Sequence, residues 1–182
     1  MGGDMISASE IEAGMAHVAA SPKDAGRIEA IFIRPESDQR KALQEAHLTS
    51  EGGVDGDRWS RSGTEEKPPD PRGQVSLMNV RVLDLIAPDK ERWPLAGDNL
   101  IVDLDLGVEN LPVGQRLTLG EVVLEVTEVP HPGCKKFLAR YGKDALGYIN
   151  AKERTDLRLR GVFAKVIEPG TVSVGDTIGK VE

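Results

Sequence analysis

The sequence predicts a mainly β chain, closed or partly closed into a barrel, with helices at its periphery. Short runs of alternating apolar residues fill 99–129, glycines punctuate them, and residues 162–178 return to a strand pattern around a Pro-Gly turn. Several short strands with regular turn signals fit a sandwich or barrel better than a parallel sheet with crossover helices.

The first 26 residues read as an extension with one short docked helix. Ser7 and Glu10 have the spacing of a capping box, Ile11, Met15 and Val18 fall on one helical face, and Pro22 follows. From Arg27 the pattern turns to β: Ile28, Ala30 and Phe32 alternate with Glu29, Ile31 and Ile33, a strand apolar on both faces. Residues 51–71 are polar and rich in Gly and Pro, a long loop that is either functional or mobile. Val75–Met78 reads as a strand, and Val80, Leu83 and Ile86 as a short helix ending before Pro88. Leu100, Val102 and Leu104, then Leu117 and Leu119, then Val122, Leu124 and Val126 mark three strands. Phe137, Tyr141, Ala145 and Ile149 recur every four residues and predict one amphipathic helix over 134–150. Val162–Ile167 and Thr171–Ile178 close the chain as two strands around Glu168-Pro169-Gly170.

Length and charge bound the function. A chain of 182 residues fits one domain, here 27–182, with 1–26 as the extension. No apolar run reaches the roughly 20 residues of a membrane span, and Asp4, Glu10 and Glu12 interrupt any secretory leader, so the expectation is a cytoplasmic chain. A net charge of −7 opposes non-specific nucleic-acid binding. One cysteine excludes an internal disulfide and a paired-cysteine zinc site, and His17, His47 and His131 are scattered.

Chemistry concentrates around that cysteine. Cys134 follows Pro130-His131-Pro132-Gly133 and opens the predicted helix, where free backbone N–H groups, Lys135 and Lys136 favour a thiolate. The competing reading is a small packed side chain. His131 is a candidate to orient or deprotonate the thiol, or else a structural histidine. Gly52-Gly53-Val54-Asp55-Gly56-Asp57-Arg58 and Gly97-Asp98-Asn99-Leu100 are ligand-approach loops or plain turns. Arg158 and Arg160, side by side if extended, are an anion site or a solvated edge.

Taken in order, Val54-Asp55-Gly56-Asp57-Arg58, Gln74–Met78, Gly97-Asp98-Asn99-Leu100, Pro112-Val113-Gly114, Cys134-Lys135-Lys136-Phe137, Arg160-Gly161-Val162 and Pro169–Asp176 resemble the MOSC domain, named for the C-terminal domain of molybdenum cofactor sulfurases, over roughly residues 27–180. The resemblance implies a stand-alone bacterial-type member with a barrel like that of pyruvate kinase. It implies a molybdenum-molybdopterin cofactor, with Cys134 contacting the metal or carrying sulfur as a persulfide. Asp57, Arg58, Trp59, Asp98, Asn99, Lys135, Arg158 and Arg160 become candidate cofactor contacts, and a sulfur donor or electron-transfer protein the candidate partner. Pyridoxal phosphate is not expected, because the domain that binds it in full-length sulfurases has no room here. Two departures touch the site: Trp59 stands where many members have His, and Gly133 separates Pro132 from Cys134 where many have Pro-Cys. An indole at position 59 is suited to stacking on a flat ring. The alternatives are a reductase component for N-hydroxylated compounds and a non-catalytic barrel module for a small anion or a protein.

Overall fold

The computed structural model describes residues 5–182; Asp4, counted above against a leader, lies outside them. The elements in order are α1 (Ala8–Ala19), β1 (Gly26–Ile33), β2 (Lys41–Leu43), β3 (Glu45–Thr49), β4 (Gly53–Val54), β5 (Val75–Asn79), α2 (Val80–Ile86), β6 (Leu100–Asp103), β7 (Arg116–Leu119), β8 (Val122–Val126), α3 (Lys135–Ile149), β9 (Val162–Glu168), β10 (Gly170–Ser173) and β11 (Thr177–Lys180). Single 3₁₀ segments cover Trp59–Arg61, Pro71–Gly73, Lys90–Ala96 and Lys152–Leu157.

Seven strands close into a mixed barrel in the order β11-β7-β8-β9-β5-β6-β1, and β1 returns to β11 through Gly26↔Ile178 and Arg27↔Thr177. Only β5 and β6 run parallel, with Leu77 opposite Leu100, and the crossover between them holds α2 and the Lys90–Ala96 segment. β2 extends the far end of β1, while β10, β3 and β4 form a small second sheet.

Alternation along the strands builds two cores. Leu77, Leu100 and Val102 point into the barrel with Ile28, Leu117, Leu124 and Val162. Met78 and Ile101 point outward, where they meet Ile11, Leu83, Trp93, Phe137, Tyr141 and Ile149 from the helices. β5 and β6 are therefore buried on both faces: Met78 and Ile101 are apolar on the outward side, and the polar Ser76 and Asn79 are buried with bonds to Asn99 and Ser21. Helix α1 begins with the expected capping box, in which Ser7 accepts from the Glu10 amide and the Glu10 carboxylate accepts from the Ser7 amide. Among the described residues no helix is long and apolar enough to cross a membrane.

Three sequence expectations need correction. The stretch 171–178 is two strands, because Gly175 at φ 95° and the Asp176 carboxylate, accepting from the Ser173 amide at 2.8 Å, turn the chain out of the small sheet into the barrel. α3 is interrupted at Gly142 (φ 90°, ψ 169°), which the four-residue apolar spacing does not reveal. Arg158 is not extended: it caps the Lys152–Leu157 turn at φ 47°, ψ 47°.

Gly161 lets β9 approach β5. At φ 115° it favours no L side chain, and a Cβ there would overlap the Leu77 carbonyl oxygen. Gly161→Ala is expected to lower unfolding stability by at least about 2 kcal/mol, read from the urea midpoint. A midpoint at the wild-type value would show that this contact is not needed.

Candidate functional site

The site grows from the end of the Lys90–Ala96 turn. Gly97 closes it in the left-handed region (φ 84°) and turns Asp98 inward, where the residue is only 1% exposed. The last three side-chain-bearing residues of that turn each give a carbonyl to a different arginine. Pro94 accepts from Arg40 Nε at 3.2 Å, Leu95 from Arg140 Nη1 at 2.6 Å and Ala96 from Arg160 Nη2 at 2.7 Å. Arg160 Nη1 also meets Asp98 Oδ2 at 2.6 Å, and His131 Nε2 meets Asp98 Oδ1 at 2.8 Å.

Burial alone would raise the Asp98 pKa, but Arg160 and the His131 hydrogen bond outweigh it and hold the carboxyl below the usual range. Burial dominates at His131 and pushes its pKa down; Asp98 opposes this, and Arg160 and Arg34 reinforce it. His131 is thus a neutral imidazole donating Nε2–H to Asp98, with its ring 4.2 Å from that of Phe163.

The 57–59 turn is fixed just as firmly. Asp57, 3% exposed, takes a two-pronged contact from Arg34 (Nε at 3.1 Å, Nη2 at 2.9 Å) and the Arg34 and Trp59 amides at 2.7 and 3.0 Å. Burial opposes its ionisation, and these bonds overcome it. Asn99, fully buried, bridges the two loops: Nδ2 reaches Asp57 Oδ1 at 3.4 Å and the Phe32 carbonyl at 3.3 Å, while Oδ1 accepts from the Ser76 amide at 3.1 Å.

Cys134 is exposed and is the N-cap residue of α3. No cap hydrogen bond of standard geometry reaches its sulfur. Partial burial raises its pKa, but the Phe137 and Lys136 amides and the charges of Arg160 and Arg140 prevail, so the thiol ionises more readily than usual. The preceding loop is clamped by Asn150, whose Oδ1 accepts from the Gly133 amide at 2.8 Å and whose Nδ2 donates to the Gly133 carbonyl at 3.0 Å. Across the mouth, Lys136 and Arg140 meet Asp38 at 2.8 and 3.6 Å. Arg40 is partly buried, which lowers its pKa, and the nearby charges of Arg140, Arg34 and Arg58 lower it further. Among the described residues no three His, Cys, Asp or Glu side chains are grouped to hold a metal ion by themselves.

The model of the MOSC domain matches residues 73–179, more than half of the chain. The chain belongs to the MOSC domain family. This family is associated with molybdenum cofactor binding or sulfurase function. The fold is similar to that of the YuaD protein from Bacillus subtilis, at 20% identity and a TM-score of 0.62, covering 85% of this chain and 94% of that one. It is also similar to YiiM from Escherichia coli, at 20% identity and a TM-score of 0.54, covering 86% and 70%. YiiM from Geobacillus stearothermophilus aligns at 13% identity and a TM-score of 0.53, covering 86% and 75%. No curated protein matches.

Within this MOSC domain the residues singled out from the sequence divide in two. Asp57, Asp98, Asn99, Arg160 and His131 form joined, mostly buried networks, and Cys134 lies within reach of the Arg160 charge. His131 is committed to Asp98 through Nε2. Arg58 is exposed, Trp59 is half-buried against Gly53, and Lys135 is exposed at the first turn of α3. Arg158 gives Nη1 to the Leu106 and Leu111 carbonyls at 3.3 and 2.6 Å. Sequence reading missed Arg34 and Arg40, both in the connection between β1 and β2, and Arg140 in α3, which carry no spacing signal.

Because the His131 pKa is lower folded than unfolded, falling pH protonates the unfolded chain first. Stability should be flat above the ordinary histidine value of about 6.5 and fall below it, and His131→Phe should remove that slope. An NMR titration placing the His131 midpoint above 6.5 would refute a neutral imidazole.

Proposed function

We propose that this chain binds a molybdenum–pterin cofactor through the barrel formed by 27–182, with 1–26 as an extension docked by α1, and that Cys134 is its reactive thiolate. The observation that carries this reading is the exposed, readily ionised Cys134 at the head of α3, under the charges of Arg160 and Arg140, with Arg34, Arg140 and Arg160 paired among the described residues only to Asp57, Asp38 and Asp98. A soft thiolate is the protein ligand type suited to a metal already chelated by sulfur, and guanidinium groups suit a phosphate tail. The residues present therefore fit the group. When bound, it would supply oxo-transfer or sulfur-exchange chemistry at the metal.

The chain's own contribution is positioning. Arg34, Arg40, Arg58 and Arg140 would meet the anionic end, with Lys135 and Lys136 at the rim. Asp57, Asp98 and Asn99 hold the backbone and arginines in place; their buried side chains are already bonded to protein groups. Trp59 offers an indole face for the flat ring system. His131 orients Asp98 and Arg160 and does not serve as the thiol's base; the amides at the helix start and the arginines lower the Cys134 pKa without one. In the persulfide role, the thiolate attacks the sulfane sulfur of a donor persulfide, forms Cys134–S–S⁻ after proton loss and releases the donor thiol. A cytoplasmic setting with a sulfur donor or electron-transfer partner accords with that chemistry.

The test is cofactor retention after incubation with molybdenum cofactor and desalting, with molybdenum and pterin quantified. Retention by wild type that is lost in Cys134→Ser indicates metal ligation. Equal retention assigns Cys134 to sulfur carriage, checked by persulfide formation, and none in either refutes the cofactor reading. Arg40→Met should lower retention about tenfold while leaving folding intact. Independently, iodoacetamide alkylation should show a thiol midpoint below the ordinary value of about 8.5.

A further inference from the structure

A cavity lies beside the His131–Asp98–Arg160 network, between the 127–132 loop, the end of α3 and the 155–162 segment. Its volume is about 480 Å³, within the usual range for small-molecule sites. Its walls are largely apolar, with Val129, Ile149, Leu159 and Val162 inside and the exposed Val108 and Val113 at the rim.

Among the polar side chains of this wall, Arg158 keeps the free donors. Thr127 Oγ1 donates to the Arg72 carbonyl, Asn150 is tied to Gly133 in both directions, Glu128 is paired with Arg72, and His131 is turned to Asp98 through Nε2. Arg160, 7% exposed, is taken up by Asp98 and the Ala96 carbonyl, and its Nε, though unpartnered, is closed off from the cavity. Arg158 has no carboxylate within 4.0 Å among the described residues, and its contacts with the Leu106 and Leu111 carbonyls occupy only Nη1. Asp156 acts on Arg158 from beyond ion-pair distance, but burial outweighs it and lowers the Arg158 pKa, so the guanidinium is under-neutralised and favours a negative partner. Arg158 also borders a neighbouring cavity of about 410 Å³, where Asp105, Glu109 and Asp156 stand against Lys23, which is paired with Asp105, and disfavour an anion.

We propose that the 480 Å³ cavity is a binding site for a small amphipathic carboxylate, with its apolar body against Val129, Ile149 and Leu159 and its carboxylate on Arg158. This site is distinct from the thiolate mouth and does not depend on the cofactor reading. A planar carboxylate matches the fork of a guanidinium, and the apolar walls exclude the water that would compete for it.

The probes are phenylacetate and its neutral analogue phenylacetamide, titrated into ¹⁵N-labelled protein and followed by amide shifts. Phenylacetate should move the amides of Thr127, Val129, Leu159 and Gly161 and bind at least about tenfold more tightly than phenylacetamide. Arg158→Gln should abolish that preference. Since Arg158 also braces two carbonyls, Val113→Glu serves as a second variant: the residue is 55% exposed at the rim, and the change should weaken phenylacetate about tenfold without altering the rest of the spectrum. Absent shifts at these amides, equal affinity for the two probes, or wild-type binding by a folded Arg158→Gln or Val113→Glu protein would overturn the proposal.

Discussion

The Asp98–Arg160 ion pair is the constraint on which the site depends. Both side chains are buried, and a buried charge is tolerated only when it is paired and its remaining groups are bonded. The pair joins three segments distant in sequence: the turn ending at Gly97, the start of β9, and, through His131, the loop leading to Cys134. Removing one partner would strand the other, at a cost of about 3–5 kcal/mol. Gly161 belongs to the same device, because only a residue without a Cβ allows β9 to come against Leu77 while Arg160 reaches Asp98.

Around this neutralised pair the protein gathers cations that it does not fully neutralise. On a chain of net charge −7, Arg34, Arg40, Arg58 and Arg140 lie close enough that three of them depress the pKa of the fourth. Self-repulsion of this kind works against folding, and the carbonyls of Pro94 and Leu95 offset part of it by accepting from Arg40 and Arg140. The arginine side chains are thereby preorganised, so an anion entering the mouth need not pay to order them.

The barrel was legible in the sequence because its strands alternate where one face is wet, as in β7 and β8, and place apolar residues on both faces where both are covered, as at Leu77–Met78 of β5 and Leu100–Val102 of β6. β2, β3 and β4 were not legible: β2 and β4 are very short, β2 is largely exposed and β4 glycine-led, and β3 finds its main partner, β10, near the other end of the chain. Of the site, sequence reading located the loops but not the bonds. Asp57 and Asp98 stood out beside glycines, yet nothing in the chain order indicates that Arg34 answers one and Arg160 the other. Arg40 and Arg140 were invisible because their importance lies in backbone carbonyls, which every residue has.

The two departures from the family pattern have local compensations. A proline at position 133, in the Pro-Cys manner, would have no N–H for Asn150 Oδ1 to accept, and a Cβ there would come within 2.6 Å of Leu146 Cδ1. Gly133 with Asn150 therefore supplies by side-chain clamping the rigidity that a proline would supply by its ring, and Cys134 still emerges as the N-cap of α3. At position 59 the backbone amide performs the structural task, donating to Asp57, so the side chain is free to vary without loosening the turn. Replacing an imidazole by an indole there changes what the mouth can touch and leaves intact the frame that holds it.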